Sequence, residues 1–479
     1  MGHHHHDKKS SSRREMSRRK FLGTASCAAL GSTTFLSSFT SLGMINSLAG
    51  ARPLASGAQP PTGYKALVCI LLAGGNDSFN MIVPTTSEQY TDYSASRSTV
   101  ALPSGDLLPL NYTDPQGISY GLHPSMPEVA NMFNDGKAAI LANIGTLIEP
   151  VNKTQVLNGT APLPLGLQSH ADQARHWQTS IPQNRHAKGW GGKVADMLAA
   201  GNSNQDISMN LSLSGTNLWQ AGNTVDEFSI TPQGSVGVNI LAETDPFDVI
   251  MGQGLQNILD QTYSDVLKQT YSTKVKDSQT QHEVFTAALE NLNPLSTQFS
   301  QTSISRQMRM VAESIAIAGG LGMQKQTFYI KFGGFDNHGE LLNNHAGRLS
   351  LLSSAIGEFY TAMDELGMSD SVTTFTVSDF ARTLTPNGFG TDHAWGGNAM
   401  VFGGAVNGST IYGNYPSLAL GNDLDLGNGV LIPELCTDQY FAELALWLGV
   451  APTELTDLFP NIENFYTLGT GNPIGFLSL

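Results

Sequence analysis

The chain has 479 residues, 40% hydrophobic and 14% charged, with a formal net charge of −15. Residues 1–58 hold eight of its 25 Lys and Arg and two of its 40 Asp and Glu, so the remainder has 17 basic and 38 acidic residues and a formal charge of −21. Nucleic acid is thereby excluded as a partner, because phosphate neutralisation needs a basic face; the length suits one large domain with insertions, or two domains.

Residues 1–58 read as a targeting region rather than as part of the fold. Arg18-Arg19 stands directly before an apolar stretch that has no charge from Phe21 to Ala51, which resembles a twin-arginine (Tat) export signal. Only ten of those 31 residues are Leu, Ile, Val, Phe or Met. Cleavage near Ala51, Ala55 or Ala58 is therefore expected, with no stable membrane anchor afterwards and a periplasmic or secreted location. Met1 to Glu15, with its run of four His, reads as a tag or an upstream extension. Cys69 and Cys436 are the thiols left beyond this region; Cys69 reads as a core residue, and a single disulfide between the two stays open.

Leu67 to Ala73 is a continuous apolar run of strand length, the pattern of a strand buried on both faces. It ends in Gly74-Gly75-Asn76-Asp77-Ser78, where Asp77 would lie in a ligand-binding loop or serve as a turn or helix cap. Residues 84–121, rich in Pro, Ser, Thr and Asp, look like a long surface excursion. A helix follows with Ser125 as its cap and Met126, Val129, Met132 and Phe133 on one face, and then a second buried strand, KAAILANIG, which suggests β–α–β. Ser169 would cap the helix beginning HADQARHWQT, where free N–H groups also favour a hydroxyl meeting an anionic ester. His170 and His176 on that helix stay open between structural and site roles. GWGGKVADMLAA reads as helix, NQDISMNLSL as strand, and residues 246–318 as a largely helical insertion.

The chemistry concentrates in residues 326–413. Strand Thr327–Phe332 leads to Gly333-Gly334 and then Asp336 and His338; helix Gly347–Leu366 follows; strand Val372–Val377 leads to Asp379; and a Gly-rich loop carries Asp392 and His393. Asp77, Asp336, His338, Asp379 and His393, with Asp392 in reserve, offer carboxylates and imidazoles at strand ends, the donor set of a site for divalent cations such as zinc or calcium. One or two ions would hold the oxygens of a displacement at phosphorus or sulfur, with Ser169 or water attacking. Arg175 and Arg382 would hold non-bridging oxygens, or else form ion pairs. A capped helix from Thr437 to Leu448, stopped by Gly449, looks structural.

The phrases GGNDSFN, SHADQARHWQT, GGFDNH, SDFART, GTDHAWGG and GGAVNGSTIYG, in this order from about Leu67 to Phe465, resemble the Tat-exported family known as domain of unknown function 1501. The resemblance implies membership of the alkaline phosphatase/sulfatase superfamily: a doubly wound, mostly parallel α/β sheet in a single domain over residues 59–479, carrying a two-metal hydrolytic site. In that pattern Asp77 matches the Asp after the first strand, Ser169 the nucleophile, and Asp336 with His338 the middle pair. Asp379 and His393 match the last ligands. Two positions depart from it. Phe380 stands where the superfamily has His, and His338 follows Asp336 by two residues instead of four, which puts the second metal position in question. The expected function is an exported metal-dependent hydrolase of phosphate or sulfate esters acting on an anionic ester or polymer. The alternative is a non-catalytic exported protein on the same fold that binds such a polymer or an exported protein partner.

Overall fold

The structure, a computed structural model, describes residues 63–238, 240 and 245–479; the expected export signal and its cleavage sites lie outside them. The described residues fall into two compact units, one holding those of Gly237–Gln279 and the other 63–236 with Thr280–Leu479. In the first, the described residues form helix Pro246–Leu259 and the opening of helix Val266–Glu290.

The second unit is built on a ten-stranded sheet. Its strands are β1 (Lys65–Ala73), β2 (Ala138–Gly145), β3 (Asn210–Ser212), β4 (Phe228–Thr231), β5 (Gly234–Ser235), β6 (Lys325–Gly333), β7 (Val372–Ser378), β8 (Gly397–Phe402), β9 (Thr410–Tyr412) and β10 (Leu435–Cys436). They lie in the order β9-β2-β8-β7-β1-β6-β3-β4-β5, with β10 beside β2. Pairing is mostly parallel; β8 runs against both β7 and β2, and β5 against β4.

The apolar run of β1 is explained by what covers each face. Ala66, Val68, Ile70 and Leu72 enter a core with Met308 and Ile315 of helix α5 (Ser303–Ala316) and Ile356 and Phe359 of helix α6 (Leu341–Leu366). Leu67, Cys69 and Leu71 enter a second core with Trp190 and Val194 of helix α4 (Trp190–Leu198) and Phe441 and Leu444 of helix α7 (Thr437–Leu448). Successive side chains of a strand point to opposite faces, so a strand sandwiched between two helix layers has no polar alternation to display.

Four readings from the sequence are corrected by tertiary structure. Residues 84–121 contain helix α1 (Ser87–Arg97) and two strands of a small three-stranded sheet. The inward residues of α1 are Tyr93, Ser96 and Arg97, so it lacks the aliphatic stripe by which a helix is recognised. Helix α2 (Pro127–Asn134) starts on its proline, with Met126 and not Ser125 at the cap position. β1 and β2 point the same way but are separated by β7 and β8. The Gly-rich segment after Asp379 folds into a hairpin, Arg382–Pro386 with Thr391–His393, and then into buried β8. Cys69 and Cys436 are not joined; both are free and buried, and Cys436 caps α7, its Sγ accepting from Asp438 N at 3.4 Å.

Burial pushes three interior imidazoles down, His123 and His176 to about 4 and His345 to about 3. A depressed imidazole stabilises the fold above its ordinary value near 6.5, and that contribution is lost as pH falls toward the folded value. Asp438, pushed up to about 7 by burial, acts in the opposite sense and offsets one of the three. Stability should therefore fall between pH 6.5 and 4, by at most about 3 kcal/mol per pH unit. Urea midpoints measured across that range check this.

Candidate metal site at the strand ends

β1 is parallel to both β6 and β7, so the loops following all three strands emerge at one edge of the sheet, the usual place for ligands in α/β sheets. Gly74 and Gly75 allow these loops to close on each other. Both have positive φ, and a Cβ would lie 2.5 Å from Asp336 N at Gly74 and 2.3 Å from the Phe380 ring at Gly75, so only glycine fits either position.

The β6 loop brings Asp336 and His338, the β7 loop Asp379 and Phe380, the hairpin Asp392 and His393, and helix α3 (His170–Thr179) its first residue, His170. Ligand atoms of His170, Asp336 and His393 all lie within 4.8 Å of one another. His338 joins them, its Nε2 3.1 Å from Asp336 Oδ1 and 3.0 Å from His393 Nε2.

Each of the three imidazoles turns Nδ1 toward an acceptor. His170 Nδ1 is 2.8 Å from Asp379 Oδ2, His338 Nδ1 3.2 Å from Asp392 Oδ1, and His393 Nδ1 2.8 Å from the Gln168 carbonyl. An acceptor at Nδ1 keeps the proton there and leaves Nε2 as a lone pair. Three Nε2 lone pairs therefore converge on the Asp336 carboxylate, at 3.6, 3.1 and 3.6 Å for His170, His338 and His393. Arg382 meets this set from below, at Asp336 Oδ1 and 3.5 Å from His338 Nε2; a metal cation among the remaining lone pairs would relieve their repulsion, and imidazole nitrogen with carboxylate oxygen is the donor chemistry of zinc and similar ions. The residues present thus fit a divalent metal.

Burial works to lift the Asp336 carboxyl, but the Arg382 guanidinium, through its hydrogen bond and its charge, outweighs it and holds the group below its ordinary value. Burial lowers His393, with Arg382 acting in the same direction, although its bond to the Gln168 carbonyl opposes the shift.

The structure sorts the sequence's expected site residues into distinct roles. Asp336, His338 and His393 present ligand atoms. Asp379 and Asp392 stand behind imidazoles; Asp379 Oδ2 also accepts from Gly74 N at 3.1 Å and Asp392 Oδ1 from Asn387 Nδ2 at 2.6 Å. Asp77 is elsewhere, in the interior. Its Oδ2 meets Arg97 Nη2 at 2.5 Å, both side chains are at most 1% exposed, and Thr391 Oγ1 donates to the same oxygen at 3.0 Å. Ser169 caps α3, its hydroxyl accepting from Asp172 N at 3.4 Å. Arg175 donates to the Arg185 carbonyl.

Arg382 is fully buried beneath the site. It donates to the carbonyls of Gly74, Gly75, Phe335 and Thr391 and to Asp336 Oδ1, so it ties the β1 loop, the β6 loop and the hairpin together. Phe380 walls the site with its ring, 4.7 Å from His170 and 4.3 Å from His393, centroid to centroid. The sequence alone leaves His170 open between structural and site roles. The signal was its place one residue after a helix cap, where a side chain projects from the helix end.

If Asp379 orients His170, Asp379→Asn should keep the fold and weaken metal binding about 10- to 100-fold. Titration with zinc under a competing chelator measures it.

A family model described as "Protein of unknown function (DUF1501)" matches residues 64–425. Among curated proteins, no match was found. Solved structures similar to the chain include Ps i-CgsB in complex with k-i-k-neocarrahexaose, at 11% identity and TM-score 0.36, covering 86% of this chain and 77% of that one. A protein in the alkaline phosphatase superfamily from Vibrio parahaemolyticus has 10% identity and TM-score 0.31, with 81% and 69% covered. The soluble domain of lipooligosaccharide phosphoethanolamine transferase A from Neisseria meningitidis has 9% identity and TM-score 0.32, with 84% and 94% covered. With the family model spanning three quarters of its length, the chain belongs to the DUF1501 family.

Proposed function

We propose that the protein is an exported, metal-dependent hydrolase of phosphate or sulfate esters, with one metal position instead of two. The observation that carries this reading is the convergence of three Nε2 atoms on the Asp336 carboxylate, each imidazole held from behind by its own acceptor. A divalent cation bound there would supply Lewis-acid polarisation of an ester oxygen and stabilise charge in the transition state. The chain's own residues do the positioning. Asp379, Asp392 and the Gln168 carbonyl fix the imidazole tautomers, Arg382 locks the loops that carry them, and Phe380 excludes water from one side. Phe380 takes no part as a ligand, and with Asp77 neutralised by Arg97 few donors remain for a second ion.

Ser169 Oγ accepts from Asp172 N at 3.4 Å as the cap of α3, and solvent is taken as the attacking group in this reading. Replacing Ser169 with Ala should cost about 1 kcal/mol of stability and leave turnover within about tenfold of wild type, whereas loss of a nucleophile lowers kcat by several orders of magnitude. Turnover of aryl phosphate and aryl sulfate by the zinc-loaded protein, with Asp336→Ala as control, tests the reading. Equal rates for wild type and variant would reject it.

One observation favours a second reading, a metal-holding protein that binds an anionic polymer or an exported partner without turnover. Arg382 is buried and spends its donors on backbone carbonyls and Asp336, with Nη1 also facing His338 Nε2 at 3.5 Å, so it is not free for the non-bridging oxygens of an ester. Bound metal without turnover of either ester would select this reading.

A further inference from the structure

Gln173 of helix α3 is 1% exposed, and its Oε1 accepts from Gln168 N. Gln168 is the residue whose carbonyl faces His393 Nδ1 at 2.8 Å. It lies in the left-handed region at φ 68°, which a residue with a Cβ adopts only where its surroundings enforce it.

The surroundings here are two hydrogen bonds, one on each peptide plane flanking the Gln168 Cα. Gln173 holds the plane before it, through Gln168 N. The plane after it is held by Ser169 N, which donates to the Gly166 carbonyl at 3.0 Å. A trans peptide sets its N–H and C=O on opposite sides, so this second bond turns the Gln168 carbonyl away from Gly166 and toward the imidazole. With both planes fixed, φ and ψ of Gln168 are fixed too. Releasing the first plane lets the residue relax to negative φ, and the carbonyl then leaves His393.

The loss would reach the ligand atom. His170 and His338 are backed by the carboxylates of Asp379 and Asp392, but His393 is backed by main chain. A carboxylate can follow its imidazole by rotating, whereas a carbonyl is placed by the conformation of its own residue. Without that acceptor, His393 is free to carry its proton on Nε2, the atom 3.6 Å from Asp336 Oδ1, where a proton excludes a cation.

We infer that Gln173 is a positioning residue for His393, acting through the left-handed Gln168; the inference rests on the reading of His393 as a metal ligand. Gln173→Met keeps the length of the side chain but removes the acceptor, and should weaken zinc binding about 10- to 100-fold in titration against a chelator. Gln173→Glu keeps an acceptor oxygen and should bind zinc as the wild type does. Gln168→Val places a β-branched residue where φ is positive, and should reproduce the loss with Gln173 intact; the Gln168 side chain is exposed, so this variant leaves the core alone. Nitrogen NMR of the metal-free, histidine-labelled protein reads the tautomer, with the His393 signal assigned by its disappearance in His393→Ala. The proton should sit on Nδ1 in the wild type and move toward Nε2 in Gln173→Met and Gln168→Val. That readout persists in a chain that binds no zinc, so failure of the metal reading and failure of this inference are told apart. A His393 tautomer unmoved in Gln173→Met would overturn the inference whatever the zinc affinity, as would equal losses in Gln173→Met and Gln173→Glu, the mark of a packing role.

Discussion

Replacing His170 with Ala should abolish tight metal binding, weakening it more than about 100-fold, beyond the 10- to 100-fold expected for a residue that only orients a ligand. His170 Nε2 has no other work to do: its Nδ1 is held by Asp379 at 2.8 Å, and its Nε2 faces Asp336 at 3.6 Å. The same variant should melt at the temperature of the metal-free wild type, because the cation stabilises the folded state by mass action and the variant loses that increment. Zinc content by elemental analysis, together with melting curves with and without chelator, measures both effects. A His170→Ala protein that holds a full equivalent of zinc would refute the ligand assignment. If turnover exists, it should disappear with the metal.

The second large effect belongs to the interior. Arg97→Ala should destabilise the protein by about 3–5 kcal/mol, because Asp77 would be left as a buried, unpaired carboxylate. The size follows from the environment. Arg97 is fully buried, and besides Asp77 it donates to Asn80 Oδ1 at 3.0 Å and to the carbonyls of Thr383 and Leu384 at 2.8 and 3.2 Å, so several acceptors lose their donor at once. Asp77→Ala should be comparably damaging, for Arg97 then keeps its charge without a counterion. Metal affinity of the folded fraction should stay near the wild-type value in both variants, which separates a structural Asp77 from a ligand. Denaturant unfolding and zinc titration of the same preparations give the two readouts. A large loss of zinc affinity in Asp77→Ala at unchanged stability would return Asp77 to the metal site.

Much of the fold was legible because strand and helix signals are local. The apolar run of β1, the repeat along α6 and the cap-to-glycine span of α7 each follow from residues within one element. Asp336, His338 and Asp379 could be placed just after strands for a related reason, since the apolar run before each marks the strand end; what such a residue does there is not local, as Asp77 after β1 shows. Helix α1 and the hairpin were illegible. The first buries Tyr93 and Arg97 in place of aliphatics, and the second has strands of five and three residues with glycines between.

By itself the sequence determined which residues are available to bind a metal, the acidic character of the chain and the strand–loop positions of most of the site. Only the tertiary structure decided their roles, because a carboxylate's chemistry depends on its neighbours. Asp77, Asp336 and Asp379 all follow parallel strands, yet one meets a buried Arg97, one meets three imidazole Nε2 atoms, and one meets the Nδ1 of His170. Those partners lie 20 to 209 residues away along the chain in the cases of Arg97 and His170, a separation that no local pattern encodes.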